Sequence, residues 1–337
     1  MINRVLIRSK VLQAVYAYYQ SDCQNLETAQ EEFLISMDKT YELYHHLLLL
    51  IPEITRYAAE RIDRARSKYL PTEAEQHPNT RFIDNRFAEQ VRTNKTLEHF
   101  VNERQAPVSQ KSSKSAKRTV SRDKSLGKLI DESRFSWSQN EAIIHTLYEQ
   151  IVGSPAYNEY MEAPGCSYED DKEVWRKLFR QVIAEGDDLA AALEDSGIYW
   201  NDDVDIVLTF VTKTIKKFEQ SAGAEQELLP QFKDADDREY ALTLFRTAIL
   251  NGEEYRKLIN SAIQHWDLDR LALMDLLILQ VALAELLEIP EIPVNVSLNE
   301  YIDLAKVFST EKSSVFINGT LDKLVQQLRG ENRLFKA

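Results

Sequence analysis

Between Asp267 and Pro290 the sequence carries its longest apolar-periodic run. Leu273, Leu276, Leu277, Leu283, Leu286 and Leu287 recur at helical spacing, with Leu279 and Val281 between them. That spacing makes a wide apolar stripe, as expected of a helix buried on most of its faces. Asp275, Gln280, Glu285 and Glu288 interrupt it. It is therefore not the ~20 uninterrupted apolar residues that a membrane span needs. Any fold of this chain must be built around that helix.

The signals downstream fix its end. Pro290 and Pro293 stop the helix, since proline brings no amide to the ladder and restricts the residue before it. Ser297-Leu298-Asn299-Glu300 has the spacing of a capping box, which predicts a helix through Phe308. Ile302, Ala305 and Val307/Phe308 give that helix its inward side. After a polar break at Ser309-Thr310-Glu311, a last helix carries Phe316, Ile317, Leu321, Leu324 and Leu328. Asn318-Gly319 lies inside its stripe. It is either a turn or, because the stripe runs through it, a glycine that lets another helix approach closely.

The rest of the chain is also helical in character. Nine glycines and nine prolines in 337 residues, against abundant Leu, Ala, Glu and Lys, favour an all-α protein. A first helix is expected over Asn3–Ser21, with Arg4 and Arg8 one turn apart and Val11 and Val15 continuing that face. Asp38 is a good N-cap for a second, carrying Tyr41, Tyr44, Leu47, Leu48 and Ile51, with Pro52 starting or kinking the next segment. Phe82, Phe87, Val91, Leu97 and Phe100 indicate a further short helical region. Helical patterns return at Ala142–Val152 and Trp175–Leu193, with a loop from Ser154 to Asp171 between them. Four segments result: N-terminal helices at 1–100, a basic Ser/Lys-rich flexible linker at 101–129, an inserted helical repeat unit at 130–235 and a C-terminal helical domain at 236–337.

Charge separates the linker from the rest. The net charge is −13, yet Arg104–Lys128 holds eight Lys/Arg and one acid. With almost no apolar residues, this stretch cannot offset its chain entropy and is expected to be disordered. It is either a solvated loop without a partner or a cationic arm that contacts RNA.

An internal repeat appears at an offset of 66 residues. Asp171-Lys-Glu, Leu178-Phe179-Arg180, Ile183, Gly186 and Trp200-x-x-Asp203 match Asp237-Arg-Glu, Leu244-Phe245-Arg246, Ile249, Gly252 and Trp266-x-x-Asp269. Val207, Phe210, Val211 and Ile215 fall where the second copy has Leu273, Leu276, Leu277 and Val281. A pair of helices is therefore expected twice.

Sites for chemistry are not evident. There is no Gly-rich phosphate loop, no G-x-S-x-G, no H-E-x-x-H and no paired C-x-x-C. Asp187-Asp188, Asp202-Asp203 and Asp236-Asp237 fall at helix starts, where capping and the helix dipole account for them. His45 and His46, adjacent on a helix, point ~100° apart and do not readily share one ion. Cys23 and Cys166 belong to no metal-ligand spacing, and the N-terminus has no apolar signal-peptide core. The expectation is a cytoplasmic protein without cofactor, metal or membrane span, and not an enzyme.

Asn299-Glu-Tyr-Ile-Asp-Leu-Ala-Lys-Val-Phe308 followed by Glu311-Lys-Ser-Ser-Val-Phe-Ile-Asn-Gly-Thr-Leu-Asp-Lys323 resembles the C-terminal signature of the NusB family of small helical transcription antitermination factors. Trp266–Leu273, Glu285–Pro293 and, at the other end, Arg8–Tyr16 resemble the same family in the same order. The resemblance implies a NusB-like helical bundle with an internally duplicated helical unit and an inserted basic loop. It implies a role in ribosomal RNA transcription, with three partners: single-stranded boxA-like RNA, the ribosomal protein that doubles as NusE, and the RNA polymerase antitermination complex. Carried across by alignment, Arg4, Arg8, Lys10 and Gln13 would lie at the RNA surface, joined by Lys312 and Phe316. Tyr16 and Asp275 would face the NusE-type partner. Asp275, an acid among core leucines, must in any case reach the surface or find a partner. Phe316 and Tyr16 also have a plain core reading.

The sequence departs from the family where consecutive arginines are usual. It reads Arg4-Val5-Leu6-Ile7-Arg8, and each phosphate contact given up weakens RNA binding. A helical protein-interaction module that has lost RNA binding is the alternative. The same helical domain also resembles the N-terminal part of ribosomal RNA cytosine methyltransferases, but no Gly-rich cofactor strand-turn accompanies it here.

Overall fold

The computed structural model of the chain describes residues 1–21, 25–105, 135–196, 199–200, 202–263, 271–334 and 336. It is all-α. In chain order the helices are α1 (Arg4–Gln20), α2 (Leu26–Arg66), α3 (Glu73–Gln76), α4 (Arg86–Arg92), α5 (Lys95–Gln105), α6 (Glu141–Val152), α7 (Pro155–Glu162) and α8 (Tyr168–Leu178). They continue as α9 (Asp187–Ser196), α10 (Val204–Lys217), α11 (Asp237–Leu250), α12 (Gly252–Ala262), α13 (Leu273–Glu288), α14 (Val294–Phe308) and α15 (Glu311–Gly330). The described residues form no strand, only an isolated parallel bridge between Ile2 and Phe232. None of their helices is long and apolar enough to cross a membrane.

Two compact units result, Met1–Asp38 with Pro230–Ala337, and Lys39–Leu229. The Ser/Lys-rich stretch falls almost wholly in 106–134, outside the described residues, as do Cys23, Trp266 and Asp269.

In the first unit, α13 is the buried helix that its sequence predicts. Every residue from Leu277 to Leu286 is buried, and α1, α11, α12, α14 and α15 pack around it. Each buried Leu or Val there contributes about 1.5–3 kcal/mol of transfer free energy. The N-cap Asn3 accepts the Leu6 amide at 3.0 Å and starts α1. Ahead of it, Ile2 donates its amide to Gln231 O at 2.6 Å and accepts from the Lys233 amide at 3.3 Å. This short seam holds the start of α1 beside the segment that leads into α11.

Several local expectations give way to stronger interactions. The second helix starts at Leu26 rather than after Asp38, because Asn25 accepts the Glu27 and Thr28 amides and Phe33 and Met37 extend the apolar stripe upstream. The loop expected over Ser154–Asp171 contains α7, since Pro155 occupies a first-turn position and Ser154 caps it. Helix α14 opens at Val294, three residues before the expected box, and Ser297 caps nothing. Asn318-Gly319 is continuous helix within α15, so the turn reading is excluded. A Cβ built on Gly319 would meet nothing within 4 Å, so no second helix approaches it closely among the described residues.

In the second unit, Trp175, Phe82, Phe87, Phe179 and Phe218 fill the core, with Phe82–Trp175 and Phe87–Phe218 ring centroids 5.3 and 5.2 Å apart. Helix α8 packs against α4, α7 and α10 and runs into a π-helical turn, Phe179–Ile183.

The two units repeat one device. Asp171 and Asp237, 66 residues apart, are each 1 % exposed. Arg4 donates from Nε to Asp237 Oδ1 at 3.4 Å, and Arg86 donates from Nε to Asp171 Oδ2 at 2.9 Å. Each arginine follows an asparagine N-cap, Asn3 for α1 and Asn85 for α4. Leu178/Leu244 and Phe179/Phe245 are fully buried in both copies, while Arg180 and Arg246 are exposed in both. The duplication therefore extends beyond the helix pair read in the sequence, with α4 standing to α8 as α1 stands to α11.

One glycine in the first unit is fixed by contact. A Cβ on Gly252 would lie 2.5 Å from Tyr19 Oη and 2.9 Å from Gln280 Nε2. Those two groups are bonded to each other at 2.9 Å, and Gln280 also donates to Ala248 O at 2.7 Å. Gly252→Ala is expected to lower stability by about 1–3 kcal/mol by overpacking this contact, measured as a shift in the urea midpoint. Gly319→Ala, in open space, is expected to raise it by about 0.5–1 kcal/mol.

Candidate nucleic-acid interface

The residues carried over as an RNA surface all lie in the first unit, on α1 and α15, but the structure treats them very differently. Arg8 is 2 % exposed. It donates from Nε to Glu285 Oε2 at 2.7 Å and from Nη2 to Glu285 Oε1 at 3.0 Å, a bidentate pair. Its Nη1 reaches Glu300 Oε2 at 3.1 Å. Glu285 also accepts from Tyr240 Oη at 2.5 Å, Ser297 Oγ at 2.7 Å and Tyr301 Oη at 3.2 Å. The serine and glutamate of the expected capping box are thus drawn into this cluster. A doubly bonded charge pair outweighs a cap bond worth about 1 kcal/mol.

The cluster sets its own ionisation. Burial opposes charge on Arg8, but the hydrogen bond and charge of Glu285 more than offset it, and its pKa rises. Burial alone would raise the Glu285 carboxyl; hydrogen bonds from Arg8, Tyr240 and Ser297 hold it below its ordinary value. Burial, then the neighbouring carboxylate, pushes the Tyr240 and Tyr301 phenols well up. At the end of α13, Lys336 donates to the carbonyls of Glu285 and Ile289 at 2.9 and 3.0 Å. Burial lowers its pKa to about 8.

Arg8 is therefore a structural cation rather than part of an exposed patch. Lys10, 4 % exposed, is likewise inside. Arg4 keeps a 40 % exposed side chain, with its guanidinium 5.1 Å from the Tyr240 ring centroid. Gln13 is half-buried and Tyr16 is 37 % exposed. Beside Arg4 lies a groove of about 270 Å³ lined by Val5, Ile292, Pro293 and Val296, with Glu291 and Glu300 at its edge. Those two acids balance the two arginines, so the groove carries no net positive charge.

On α15 the arrangement is more open. Lys312 is exposed and in no ion pair among the described residues, and Val315 is 74 % exposed. Phe316 is half-buried, one turn beyond Lys312, and Gly319 follows on the exposed side. Asp275 takes the interior alternative: it is 6 % exposed and accepts from Ser309 Oγ at 2.6 Å and Ser313 Oγ at 2.9 Å, fixing the start of α15 against α13. Sequence reasoning missed the Glu285 cluster. The signal was an acid in a helix apolar on every side, which must find a partner. That partner lies 277 residues away.

Because the folded-state pKa of Glu285 is depressed, the carboxylate's contribution to stability is fully present above about 4.5 and is lost as pH falls through the folded-state value. Glu285→Gln strands the Arg8 charge and is expected to cost about 3–5 kcal/mol at neutral pH. Urea titrations from pH 7 downward should show the variant already destabilised and with a shallower loss below 4.5.

Residues 209–326 match the model of the NusB family. The chain is similar to the transcription antitermination protein NusB of Salinibacter ruber, 36 % identical over 132 residues, which is 37 % of this chain and 82 % of that protein. It is also similar to the proteins of that name in Natranaerobius thermophilus, 38 % identical over 32 % of this chain and 78 % of the relative, and in Koribacter versatilis, 37 % over 34 % and 80 %. No solved structure matches.

Proposed function

The chain belongs to the NusB family, and from that premise we propose that it is an RNA- and protein-binding transcription antitermination factor rather than an enzyme. In this reading it acts in the cytoplasm on ribosomal RNA transcription. It pairs with a NusE-type ribosomal protein, holds a boxA-like single-stranded RNA and helps tether it to RNA polymerase. The observation that carries the reading is the exposed side of α15. It presents at Lys312 a cation in no ion pair among the described residues, an aromatic half-open at Phe316, and at Gly319 a helix-interior glycine that no packing among the described residues explains. Single-stranded RNA is held by cations along its backbone and flat groups against its bases. A glycine lets a ligand approach the helix backbone.

Arg4 supplies the exposed cation on α1, and Gln13 flanks it. Arg8 and Lys10 serve by holding α1 in place. Tyr16 belongs to the protein-partner surface, and Asp275 supports that side by anchoring the start of α15. With Arg8 withdrawn, few cations remain on α1, so the partner protein completes the RNA site. The same withdrawal favours the second reading, a helical interaction module without RNA affinity. Segment 236–337 with α1 is the family's body in this proposal, and 101–129 and 130–235 are additions to it.

Binding of labelled boxA-type RNA, with and without a NusE-type partner, tests this. Lys312→Ala and Arg4→Ala are each expected to weaken binding several-fold and to make the salt slope shallower by about 0.7. Gly319→Ala should stabilise the fold while weakening RNA binding. Partner binding with no RNA affinity at low salt would leave only the interaction-module reading.

A further inference from the structure

The duplication exposes a face of α10 that its counterpart in the first unit keeps covered. In the first unit α14 runs along α13, bonding Ser297 and Tyr301 to Glu285 at one end and Ser309 to Asp275 at the other. At the offset of 66 that stretch corresponds to Thr209–Glu219. Where α13 has Leu279, Ala282 and Leu283, all fully buried, α10 has Lys213, Lys216 and Lys217, all exposed. A groove of about 830 Å³ opens beside them, lined by Lys216, Lys217, Lys172, Phe218, Glu169 and Glu219 among others.

Solvation alone explains this face poorly. The chain carries 54 acids against 41 Lys/Arg, yet Thr209, Lys213, Lys216 and Lys217 bring no acid to it. Lys216 and Lys217, in the last turn, complement the C-terminal end of the helix dipole. Lys213 does not, and one turn before Lys217 it adds a like-charge i,i+4 pair, which is unfavourable. None of the three is in an ion pair among the described residues; Lys213 lies over the Phe210 ring at 5.2 Å. Lys172, by contrast, is held by Glu169 at 2.8 Å and by Phe218 O at 3.1 Å.

We propose that the Lys213–Lys216–Lys217 face of α10, with the groove beside it, is a second contact for single-stranded RNA, engaging its phosphate backbone. A protein helix seated as α14 is in the first unit would need apolar anchors, and this face offers none. Phosphate neutralisation needs only cations along a track. Glu169 and Glu219, at the groove's edge, confine the contact to the lysine side. The inference rests on the RNA-binding reading above.

The test is anisotropy of a labelled single-stranded oligoribonucleotide with the full chain across a salt series. It compares wild type, the triple variant Lys213→Gln/Lys216→Gln/Lys217→Gln, and Lys312→Ala. The triple variant should bind roughly tenfold more weakly at low salt, with a salt slope shallower by about 2, at about 0.7 per phosphate contact. Its melting temperature is the control for folding; if it falls, Lys217→Gln alone is read the same way, with a slope change of about 0.7. An unchanged slope in the triple variant, with binding weakened by Lys312→Ala, overturns this proposal and leaves the first-unit reading standing. A wild-type chain without salt-sensitive RNA binding overturns both. Loss of binding to a polyglutamate peptide in the triple variant, with RNA binding unchanged, assigns the face to an acidic protein and overturns the RNA contact.

Discussion

The Arg8–Glu285 pair is the interaction on which the first unit depends. It joins the first helix to the central one across 277 residues of sequence, and both side chains are almost wholly out of water. Removing two charges from solvent costs several kcal/mol each, recovered only where geometry is good and remaining polar atoms are satisfied. Here they are: the guanidinium bonds two carboxylates, and the Glu285 carboxylate takes three hydroxyls besides. Apolar residues in its place could serve stability as well. What the pair adds is a fixed register, because Tyr240 on α11 and Ser297, Glu300 and Tyr301 on α14 must all meet the same two groups. A slip of α1 by one residue would leave several buried polar atoms without partners.

The second unit solves the same packing problem without the charge. Four residues after Arg86, where α1 has Arg8, α4 has Gln90. Its amide donates to the carbonyls of Glu219 and Gly223 at 3.0 and 2.9 Å and accepts from Tyr168 Oη. Glu219 is the position that corresponds to Glu285, but it offers its backbone and leaves its carboxylate outside. A neutral amide needs no counter-charge, so the segment it bonds, just past the end of α10, need not be enclosed. That difference is consistent with α10 keeping one face open while α13 is sealed on all sides.

The helices and their class were legible from periodicity, and the central helix, its proline stop and the repeat were read close to where they stand. What escaped was long-range. Ser297 and Glu300 have local capping spacing, and only the arrival of Arg8 from the other end of the chain redirects both. Asp38 resembles a cap, but Asn25 captures the amides first. Arg4 and Arg8 look equivalent in sequence, one turn apart on one face. Exposure of 2 % for one and of 40 % for the other's side chain separates a structural cation from an exposed one. The α4 counterpart of α1 went unread because one shared Asn-Arg dipeptide is too little signal until the two buried aspartates are seen in place.

A net charge of −13 would by itself argue against a nucleic-acid partner. Screening changes how that number acts. At physiological ionic strength the Debye length is about 8 Å, so distant acids are largely invisible to a bound phosphate while a neighbouring lysine is not. The acidic body therefore opposes loose, delocalised attachment and leaves binding to those places where exposed cations stand clear of carboxylates. Arg8, enclosed by two acids, contributes nothing there despite lying on the most basic turn of the sequence's first helix. Lys312 and the α10 lysines are exposed and in no ion pair among the described residues. On the proposed reading, recognition built on so few cations would depend strongly on their placement, and would favour RNA held at defined points over unspecific affinity.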